Sequence, residues 1–374
     1  MNAATTGAPA IAPEAGFAVW LDENAEAIDT SPQPAAAVLP QLGRAGLLRV
    51  GVPAALGGAG GTTVDAVESI AAVARHSLAA AFVFWGQRAF IEYLLQSENE
   101  ALRTRWLPPL LAGEHAGATG LSNAMKYLSA IEPLQMNARP LDGTPTRFAL
   151  NGALPWITNL RREGFVVAAA FDRSDGAPPA IFAVPHDAPG VRRSDDLDLI
   201  ALRASNTAAL ELENVVLDDG WLIAADARAF LVRARPAFLG LQCGMSIGLA
   251  RRALEAVRAS SPAVRAALED DATSAAQRLD VLTRRLYDGM TSGAFVAAPA
   301  ASFEVRIGLA EVVADAVQLE VQACGGRGYL RTSGAEANSG VARRAREAAF
   351  VPIVTPSLVQ LKNQLAAHRR SNAA

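Results

Sequence analysis

Two short segments of the sequence could place groups that do chemistry. In "FVPIVTPSLVQLKN", residues 350–363, an apolar run meets a Thr-Pro-Ser break, and Ser357 is a candidate N-cap for a helix that follows. In "GGRG", Gly325–Gly328, three glycines after a long helical stretch would let the backbone approach a ligand and expose its N–H groups. The same glycines could simply end that helix. The first segment offers hydroxyl groups but no acid.

One carboxylate stands in unusual surroundings. Glu92 belongs to "AAFVFWGQRAFIEYLL", which is apolar nearly all round and predicts a buried helix. An ionised group there is costly unless it is paired, so Glu92 could be a base with a perturbed pKa. It could equally pair with Arg88, four residues earlier, on a side that faces water. The sequence leaves both interpretations open.

The side chains that commonly bind metals are scattered. No two histidines have the spacing of ligands, and the two cysteines do not form a CxxC pair, so we expect no metal site. Both cysteines have small, apolar neighbours and are predicted to be buried, unreactive thiols. These residues are His76, His115, His186, His368, Cys243 and Cys324.

The composition narrows the class of protein. The chain has 374 residues, of which 51% are hydrophobic and 19% charged, and its net charge is −3. That balance is typical of globular proteins and argues against nucleic acid as the main partner. The N-terminus lacks a basic region before an apolar one, and no run of roughly 18 apolar residues occurs. We therefore expect a cytoplasmic protein that does not associate with a membrane.

The pattern along the chain changes twice. Apolar residues first recur at spacings of three and four, then come short β-rich runs punctuated by Gly, Pro, Asp and Asn, and then the helical spacing returns. The absence of strand–helix alternation disfavours a doubly wound fold. The predicted division is a disordered tail at 1–14, an N-terminal helical domain at 15–114, a middle β domain at 115–222 and a C-terminal helical bundle at 223–374.

Capping patterns predict where two of the early helices begin. Thr62 and Asp65 have the spacing of a capping box, and so do Ser97 and Glu100.

Four stretches, in this order, resemble the acyl-CoA dehydrogenase family: "TRWLPPLLAGEHAGATGLSN", "FALNGALPWITN", "ALRASNTAALELENVVL" and "QACGGRGYL". The resemblance spans nearly the whole chain from about residue 16. It implies an α+β multidomain fold with an N-terminal helical domain, a central β-barrel or sandwich domain and a C-terminal four-helix bundle. It also implies FAD, bound non-covalently with its isoalloxazine ring between the β domain and the bundle.

The resemblance assigns residues to that flavin. Trp156 would pack beside the ring and Thr158 would hydrogen-bond to it, which suits a redox ring that needs a flat apolar neighbour and few, fixed donors. Ser122 would take the place of the family's flavin-contacting threonine. Where the family has a glycine-rich turn, this chain has "AMKYLSAIE", so Ser129 either replaces a serine near the pyrophosphate or is a loop residue. Lys126 would meet a phosphate or a carboxylate, or face solvent.

The glycine turn has a separate implication. In the family this turn meets the FAD of a neighbouring subunit, and its glutamine, here Gln322, lies close to that FAD. Gly325 and Gly326 therefore imply a homodimer or homotetramer with shared FAD sites. Arg327 would be placed to meet a phosphate.

The catalytic acid of the family is missing. The family removes a proton from the acyl thioester with a glutamate, because so weak an acid needs a positioned carboxylate in a dry pocket. Thr355 occupies that position, and Ser357 falls where the family has a flavin-contacting threonine. Some relatives carry the base near the position of Phe238, where this chain also has no acid. The catalytic residue is therefore unknown, with Glu92 as a candidate.

Three hypotheses follow from the resemblance. The first is an FAD-dependent oxidoreductase that acts on CH–CH groups of an acyl-CoA-like substrate, uses an atypical or displaced base and passes electrons to a flavoprotein or reductase. The second is a flavin-dependent monooxygenase on the same fold. The third is a catalytically silent flavin-binding homologue.

Overall fold

The computed structural model describes residues 11–141, 143–329 and 340–373, so most of the predicted tail at 1–14 lies outside the described residues. The helices are α1 (Ala15–Thr30), α2 (Ala35–Arg44), α3 (Thr63–Ala74), α4 (Leu78–Gln96), α5 (Glu100–Ala112), α6 (Ser122–Leu128), α7 (Ala227–Arg258), α8 (Pro262–Thr291), α9 (Ala294–Ala297), α10 (Pro299–Cys324), α11 (Val341–Ala348) and α12 (Leu358–Ala373). The strands are β1 (Ala116–Thr119), β2 (Met136–Leu141), β3 (Thr144–Ile157), β4 (Phe165–Arg173), β5 (Ala180–Pro185), β6 (Val191–Asp196), β7 (Ala208–Asp218) and β8 (Leu222–Ala224). The predicted order of helices, sheet and helices is confirmed.

Helix α4 runs through the core of the N-terminal helices. Residues 78–94 are all buried, as its uniformly apolar sequence predicts. Within the described residues, α4 alone is long and apolar enough to cross a membrane by length and composition, and 94% of the window is buried inside the protein. That burial is typical of a core helix.

The first residues of two helices show where a local capping pattern holds and where a tertiary contact replaces it. The Thr62–Asp65 capping box is present at α3, with both reciprocal hydrogen bonds. The second predicted box, Ser97 with Glu100, is wrong, because Asn99 caps α5. The Ser97 hydroxyl donates instead to the backbone oxygen of Ile223 at 2.6 Å. A tertiary contact has taken the side chain that the local pattern assigned to a cap.

The central sheet has eight strands and is mixed. Its path runs β6-β7-β3-β2-β4-β5-β8, and β1 adds to β4. Both β1 and β2 are parallel to β4, whereas the other pairs are antiparallel. The sequence runs "TRFALNG" and "LPWITN" form one strand, β3, rather than two. The pairing register of β3 with β7 shifts between Leu150 and Gly152, a local irregularity within the long strand.

The four long helices predicted for the C-terminal bundle are α7, α8, α10 and α12. Helix α7 also packs along α3 of the N-terminal part, and two glycines make that approach possible. A Cβ atom on Gly248 would lie 2.0 Å from the backbone oxygen of Ala71, and one on Gly244 would lie 2.6 Å from that of Val67. The small-residue face of α7 therefore joins the two helical parts closely.

Candidate functional site

A cleft of about 610 Å³ lies between the sheet and the helices. Four parts of the chain form it: the end of β1 with α6, the end of β3, the loop 198–202 and the segment 349–355 that leads to α12. Rings from α4 close it on one side. Its volume is within the range of small-molecule and cofactor sites.

The end of β3 gives the cleft a flat aromatic face. Trp156 is 62% exposed, while Ile157 next to it is buried, as the alternation of side chains along a strand requires. Thr158 also lines the cleft, but its hydroxyl donates to the backbone oxygen of Ser205 at 3.2 Å and accepts from the Thr207 hydroxyl at 3.1 Å. The Thr158 hydroxyl is therefore already engaged within the protein.

Helix α6 forms a second wall, which carries charge. The Lys126 ammonium lies 3.1 Å from the carboxylate of Glu132, and Asn123 Nδ2 donates to the same carboxylate at 2.8 Å. Asn123 Oδ1 also accepts from the backbone N–H of Gln135 at 3.0 Å, which fixes the loop that carries Glu132. The Ser122 hydroxyl lines the cleft and has no hydrogen-bond partner in the described part of the chain. Lys126 was predicted to meet a phosphate or a carboxylate, or to face solvent. In the structure it contacts a carboxylate of the chain itself, that of Glu132.

Aromatic side chains close the inner end of the cleft. Phe82 and Trp85 on α4 are stacked with centroids 5.6 Å apart, and both line the cleft. Phe350 packs edge-on against Phe82 at 4.6 Å, and Phe238 packs edge-on against Trp85 at 5.3 Å. Three of these rings are nearly inaccessible to solvent: those of Phe82, Trp85 and Phe238. The inner end is therefore filled by packed rings.

The C-terminal wall of the cleft, segment 349–355, is held in place by hydrogen bonds from α7 and α10. Thr355 lines the cleft, and its backbone oxygen accepts a hydrogen bond from Gln242 Nε2 at 3.1 Å. Arg306 Nε donates to Gln242 Oε1 at 2.8 Å, and Arg306 Nη2 donates to the backbone oxygen of Val351 at 2.8 Å. The backbone of this segment at Val351 and Thr355 is thus held by a buried amide and a buried guanidinium.

A buried carboxylate on α1 holds the rim of the cleft. Asp29 accepts from the backbone N–H of Leu202 at 2.8 Å and from Arg346 Nε at 3.0 Å, and Leu202 and Arg346 both line the cleft. Burial raises the pKa of Asp29 above its usual value, and the hydrogen bonds from Leu202 and Arg346 only partly offset it.

Several residues predicted for the site do not line this cleft. The Ser129 hydroxyl donates to the backbone oxygen of Met125 at 3.0 Å, at the end of α6. Ser357 caps α12, where its N–H donates to Gln360 Oε1 at 2.8 Å. These contacts are local ones of the helix-end type, and a role toward flavin stays a prediction for both residues.

Glu92 pairs with Arg88, which lies 3.1 Å away, as one of the two interpretations held, but the pair is buried and does not face water. Gln96 also donates to Glu92 at 2.9 Å. Glu92 does not line the cleft, so nothing in the structure brings it to the residues predicted to bind flavin.

The glycine turn lies at the end of α10 and does not line the cleft of its own chain. Gly325 ends α10 with φ of 61°, which fits the helix-terminating role. Gln322, Gly325 and Gly326 are exposed. Their predicted contact with the FAD of a neighbouring subunit stays a prediction.

The two cysteines differ from each other. Cys243 is buried, as predicted, and burial raises the pKa of its thiol to about 11. Cys324 is only half-buried, so the prediction of a buried thiol is wrong there. Its position at the exposed end of α10 explains the difference.

Sequence reasoning missed Glu132, Asp198, Gln242 and Arg306. Glu132 and Asp198 are the carboxylates among the described residues that line the cleft, and Gln242 and Arg306 support its wall. Neither acid belongs to a local motif. Arg306 stands in an apolar helical stretch, where its unusual position was the one available signal.

Comparisons with known proteins agree with this architecture. The acyl-CoA dehydrogenase N-terminal domain matches residues 19–114. Isovaleryl-CoA dehydrogenase of Pongo abelii is 28% identical over 179 residues, which are 46% of this chain and 41% of that protein. Acyl-CoA dehydrogenase of Bacillus subtilis is 26% identical over 220 residues, which are 58% of this chain and 56% of that one. The chain spans about half the length of the curated relatives that it matches.

Solved structures share the fold over nearly the full chain. Butyryl-CoA dehydrogenase from Megasphaera elsdenii has a TM-score of 0.77 at 17% identity, covering 95% of this chain and 94% of that one. FkbI, from biosynthesis of a methoxymalonyl extender unit, has a TM-score of 0.78 at 22% identity, covering 96% and 99%. KijD3, solved with FMN and a dTDP-linked amino sugar, has a TM-score of 0.76 at 20% identity, covering 96% and 92%.

The matched N-terminal domain, the curated relatives and the shared order of helices, mixed sheet and helices all agree with the four sequence motifs and support the acyl-CoA dehydrogenase family for this chain.

Proposed function

We propose that the protein is an FAD-dependent oxidoreductase that acts on the CH–CH bond beside the carbonyl of a small, acyl-CoA-like substrate. The observation that carries the proposal is the cleft of about 610 Å³, in which Trp156, Ser122 and Thr355 face one space although they come from distant parts of the chain. Cytoplasmic location is part of the proposal, as is a homo-oligomer whose turn at Gln322, Gly325 and Gly326 reaches a neighbour's FAD.

The residues of the cleft suit a flavin. The exposed indole of Trp156 offers a flat apolar face, and the unengaged Ser122 hydroxyl offers a donor for a ring atom. For Thr158 to donate to the ring, its hydroxyl would have to give up the bond to Ser205. When bound, FAD would supply the two-electron oxidation chemistry that no side chain of the protein can provide.

The proton acceptor in this proposal is Glu132. The Thr355 hydroxyl is far too weak a base, and Asp198, the other carboxylate of the described cleft residues, has a side chain that is 87% exposed and paired with Arg203. Glu132 is 27% exposed and is held by Lys126 and Asn123. A shielded and fixed carboxylate is what removal of a weakly acidic proton beside a carbonyl needs. Glu132 would take up that proton, and Lys126 and Asn123 would hold the carboxylate in position.

The packed rings at the inner end favour a short acyl group. Phe82, Trp85 and Phe238 fill the space beyond the cleft, and displacing even one would cost packing energy. A long straight chain would need that space. We therefore propose a short acyl thioester as the substrate and a flavoprotein or reductase as the electron acceptor.

A flavin-dependent monooxygenase is the second candidate. It is favoured by the hydroxyl groups of Thr355 and Ser122 in place of an acid, because a reaction of reduced flavin with O₂ needs no base at Thr355. The fold is shared with KijD3, which was solved with FMN. A catalytically silent flavin-binding homologue is the third possibility that the experiment must separate.

Three measurements on the pure protein test these proposals. FAD and FMN are titrated first, by visible spectrum and melting temperature; colourless protein that neither flavin stabilises would contradict all three. Anaerobic bleaching of the bound flavin by short acyl-CoA thioesters supports the oxidoreductase. If no acyl-CoA bleaches it, NADH-driven oxygen uptake with an added flavin reductase would favour the monooxygenase. Bound flavin with neither reaction would favour the silent homologue.

A further inference from the structure

A buried guanidinium lies directly behind the C-terminal wall of the cleft. Arg306 on α10 has 0% exposure, and its two partners are neutral: the side-chain oxygen of Gln242 and the backbone oxygen of Val351, both at 2.8 Å. Its Nη1 atom is buried and has no hydrogen-bond partner in the described part of the chain. Part of the donor capacity of this charged group is therefore unused.

The charge of Arg306 is not balanced by an acid. Within residues 11–141, 143–329 and 340–373, no carboxylate lies within ion-pair distance of it. Other buried arginines of this chain are paired: Arg88 with Glu92, Arg343 with Glu347 and Arg344 with Glu320. Burial lowers the pKa of Arg306, as expected for a desolvated cation. The neighbouring Cys243 thiol partly offsets that lowering. An unpaired buried charge is costly, so its retention calls for a use.

The position of Arg306 shows where its charge acts. The segment that it holds at Val351 is the segment whose residues Phe350, Val354 and Thr355 line the cleft. Gln242 bridges the guanidinium to the backbone of Thr355. The charge thus stands one layer of backbone behind the wall, in surroundings that exclude water. Under those conditions, a fixed charge acts more strongly on the contents of a site than it would in water.

We propose that Arg306 is an electrostatic tuning residue, whose unbalanced charge stabilises an electron-rich, anionic group in the cleft, and that this group is the reduced form of the bound flavin. This inference rests on the proposed flavin-dependent function. The identity of residue 242 matters for this role, because a glutamate at that position would neutralise the guanidinium of Arg306. The neutral amide holds Arg306 in position and leaves its charge available to the cleft.

Four variants of the FAD-loaded protein test the inference. Arg306→Met removes the charge and Gln242→Glu balances it, whereas Arg306→Lys keeps it and Gln242→Leu removes only the hydrogen bonds. The midpoint potential is measured by anaerobic reductive titration against a reference dye, and the dissociation constant of oxidised FAD is measured separately. We expect Arg306→Met and Gln242→Glu to lose at least tenfold in preference for reduced over oxidised flavin, a shift of about 30 mV to more negative potential. Arg306→Lys should stay close to wild type, and Gln242→Leu, which loses positioning contacts but not the charge, should shift the potential clearly less than Gln242→Glu does.

Two results would overturn the inference while the proposed function stands. One is a flavin-loaded wild type whose potential neither Arg306→Met nor Gln242→Glu changes. The other is a shift in Gln242→Leu as large as that in Gln242→Glu, which would show that positioning of the wall and not charge is responsible. If Arg306→Met does not fold, Gln242→Glu and Gln242→Leu decide the matter between them. A wild type that binds neither FAD nor FMN overturns the proposed function itself, and this inference with it.

Discussion

The two charged walls of the cleft differ in the sign of their charge and in whether that charge is paired. On the α6 wall, the carboxylate of Glu132 faces the cleft and is balanced by Lys126 at 3.1 Å. Behind the C-terminal wall, the guanidinium of Arg306 is buried, and no acid among the described residues balances it. Thr355, at the cleft face of that second wall, contributes only a hydroxyl. The cleft therefore has a carboxylate on its α6 wall and only a hydroxyl at Thr355, the position where the family resemblance places a catalytic acid.

This difference suggests a division of roles. A base must touch the substrate and take up a proton, which suits a carboxylate such as Glu132 that lies in the loop after α6 and is held by Lys126 and Asn123. A fixed charge that tunes a ring must neither move nor pair, which suits a guanidinium held by Gln242 and a backbone carbonyl. An acid at residue 355 would stand near Arg306 and would partly cancel its charge. In the proposed arrangement, an acid on the α6 wall and a charge behind the C-terminal wall keep the two roles separate.

The largest expected effect comes from removing the acid of the α6 wall. Glu132→Gln keeps the shape of the side chain but cannot accept the proton, so acyl-CoA-driven bleaching of the flavin should slow by about 100-fold or more. Asp198→Asn, the matched change at the exposed carboxylate, should leave the rate within about twofold, because an exposed charge contributes little. Stopped-flow spectroscopy measures both rates, and unchanged FAD affinity shows that the site is intact. Equal losses in both variants would contradict the assignment of Glu132.

The second prediction restores an acid to the opposite wall. In the Glu132→Gln background, adding Thr355→Glu puts a carboxylate where the family carries one, beside the charge of Arg306. We expect it to recover about tenfold of the lost rate, a partial recovery because the α6 wall keeps its shape and Lys126 loses its partner. Thr355→Gln in the same background is the control for size. If the glutamate and the glutamine give the same rate, the C-terminal wall does not reach the reacting carbon.

The two walls also differ in how much of each could be predicted from sequence. The C-terminal wall follows a long helix and an apolar run, and the helix start after Thr-Pro-Ser was predictable from Ser357. Helix α6 was missed because it has seven residues and no side-chain cap, and because the resemblance suggested a turn there. Local signals identify long helices and strong caps, and they fail for a helix of about two turns that tertiary contacts stabilise.

The parts of the site that could not be predicted depend on contacts between distant residues. Arg306 meets Gln242 across 64 positions of sequence, and Asp29 meets Arg346 across 317. By contrast, Trp156 and Thr158 followed from one contiguous motif at the end of β3, and the structure brings both to the cleft. A motif reveals groups that share a strand. It cannot reveal a carboxylate such as Glu132, whose role depends on which helix lies beside it.

A smaller effect separates a helix cap from a flavin ligand. Ser357 interacts with Gln360 at the start of α12, so Ser357→Ala should lower the free energy of unfolding by about 0.5–2 kcal/mol and leave FAD affinity unchanged. Ser122→Ala is the matched change in the cleft, where the hydroxyl has no partner in the described part of the chain. It should weaken FAD binding and leave the free energy of unfolding unchanged. Urea unfolding and flavin titration of both variants give the comparison. Weakened FAD binding in Ser357→Ala would restore the role that the family resemblance assigned to it.

The smallest expected effect concerns pH and the rim that joins the loop 198–202 to α11. Burial raises the pKa of Asp29 above its usual 3.8, so the folded protein holds this proton at a pH where the unfolded chain has released it. Since the folded state then binds more protons, the free energy of unfolding should decline as pH rises from about 4 to the folded-state pKa, and level off above it. Asp29→Asn removes that contribution, so the difference between wild type and variant should change across this window and nowhere else. Urea unfolding at a series of pH values measures the difference. If wild type instead gains stability relative to the variant as pH rises, then the ion pair with Arg346 outweighs burial and the rim is held by charge.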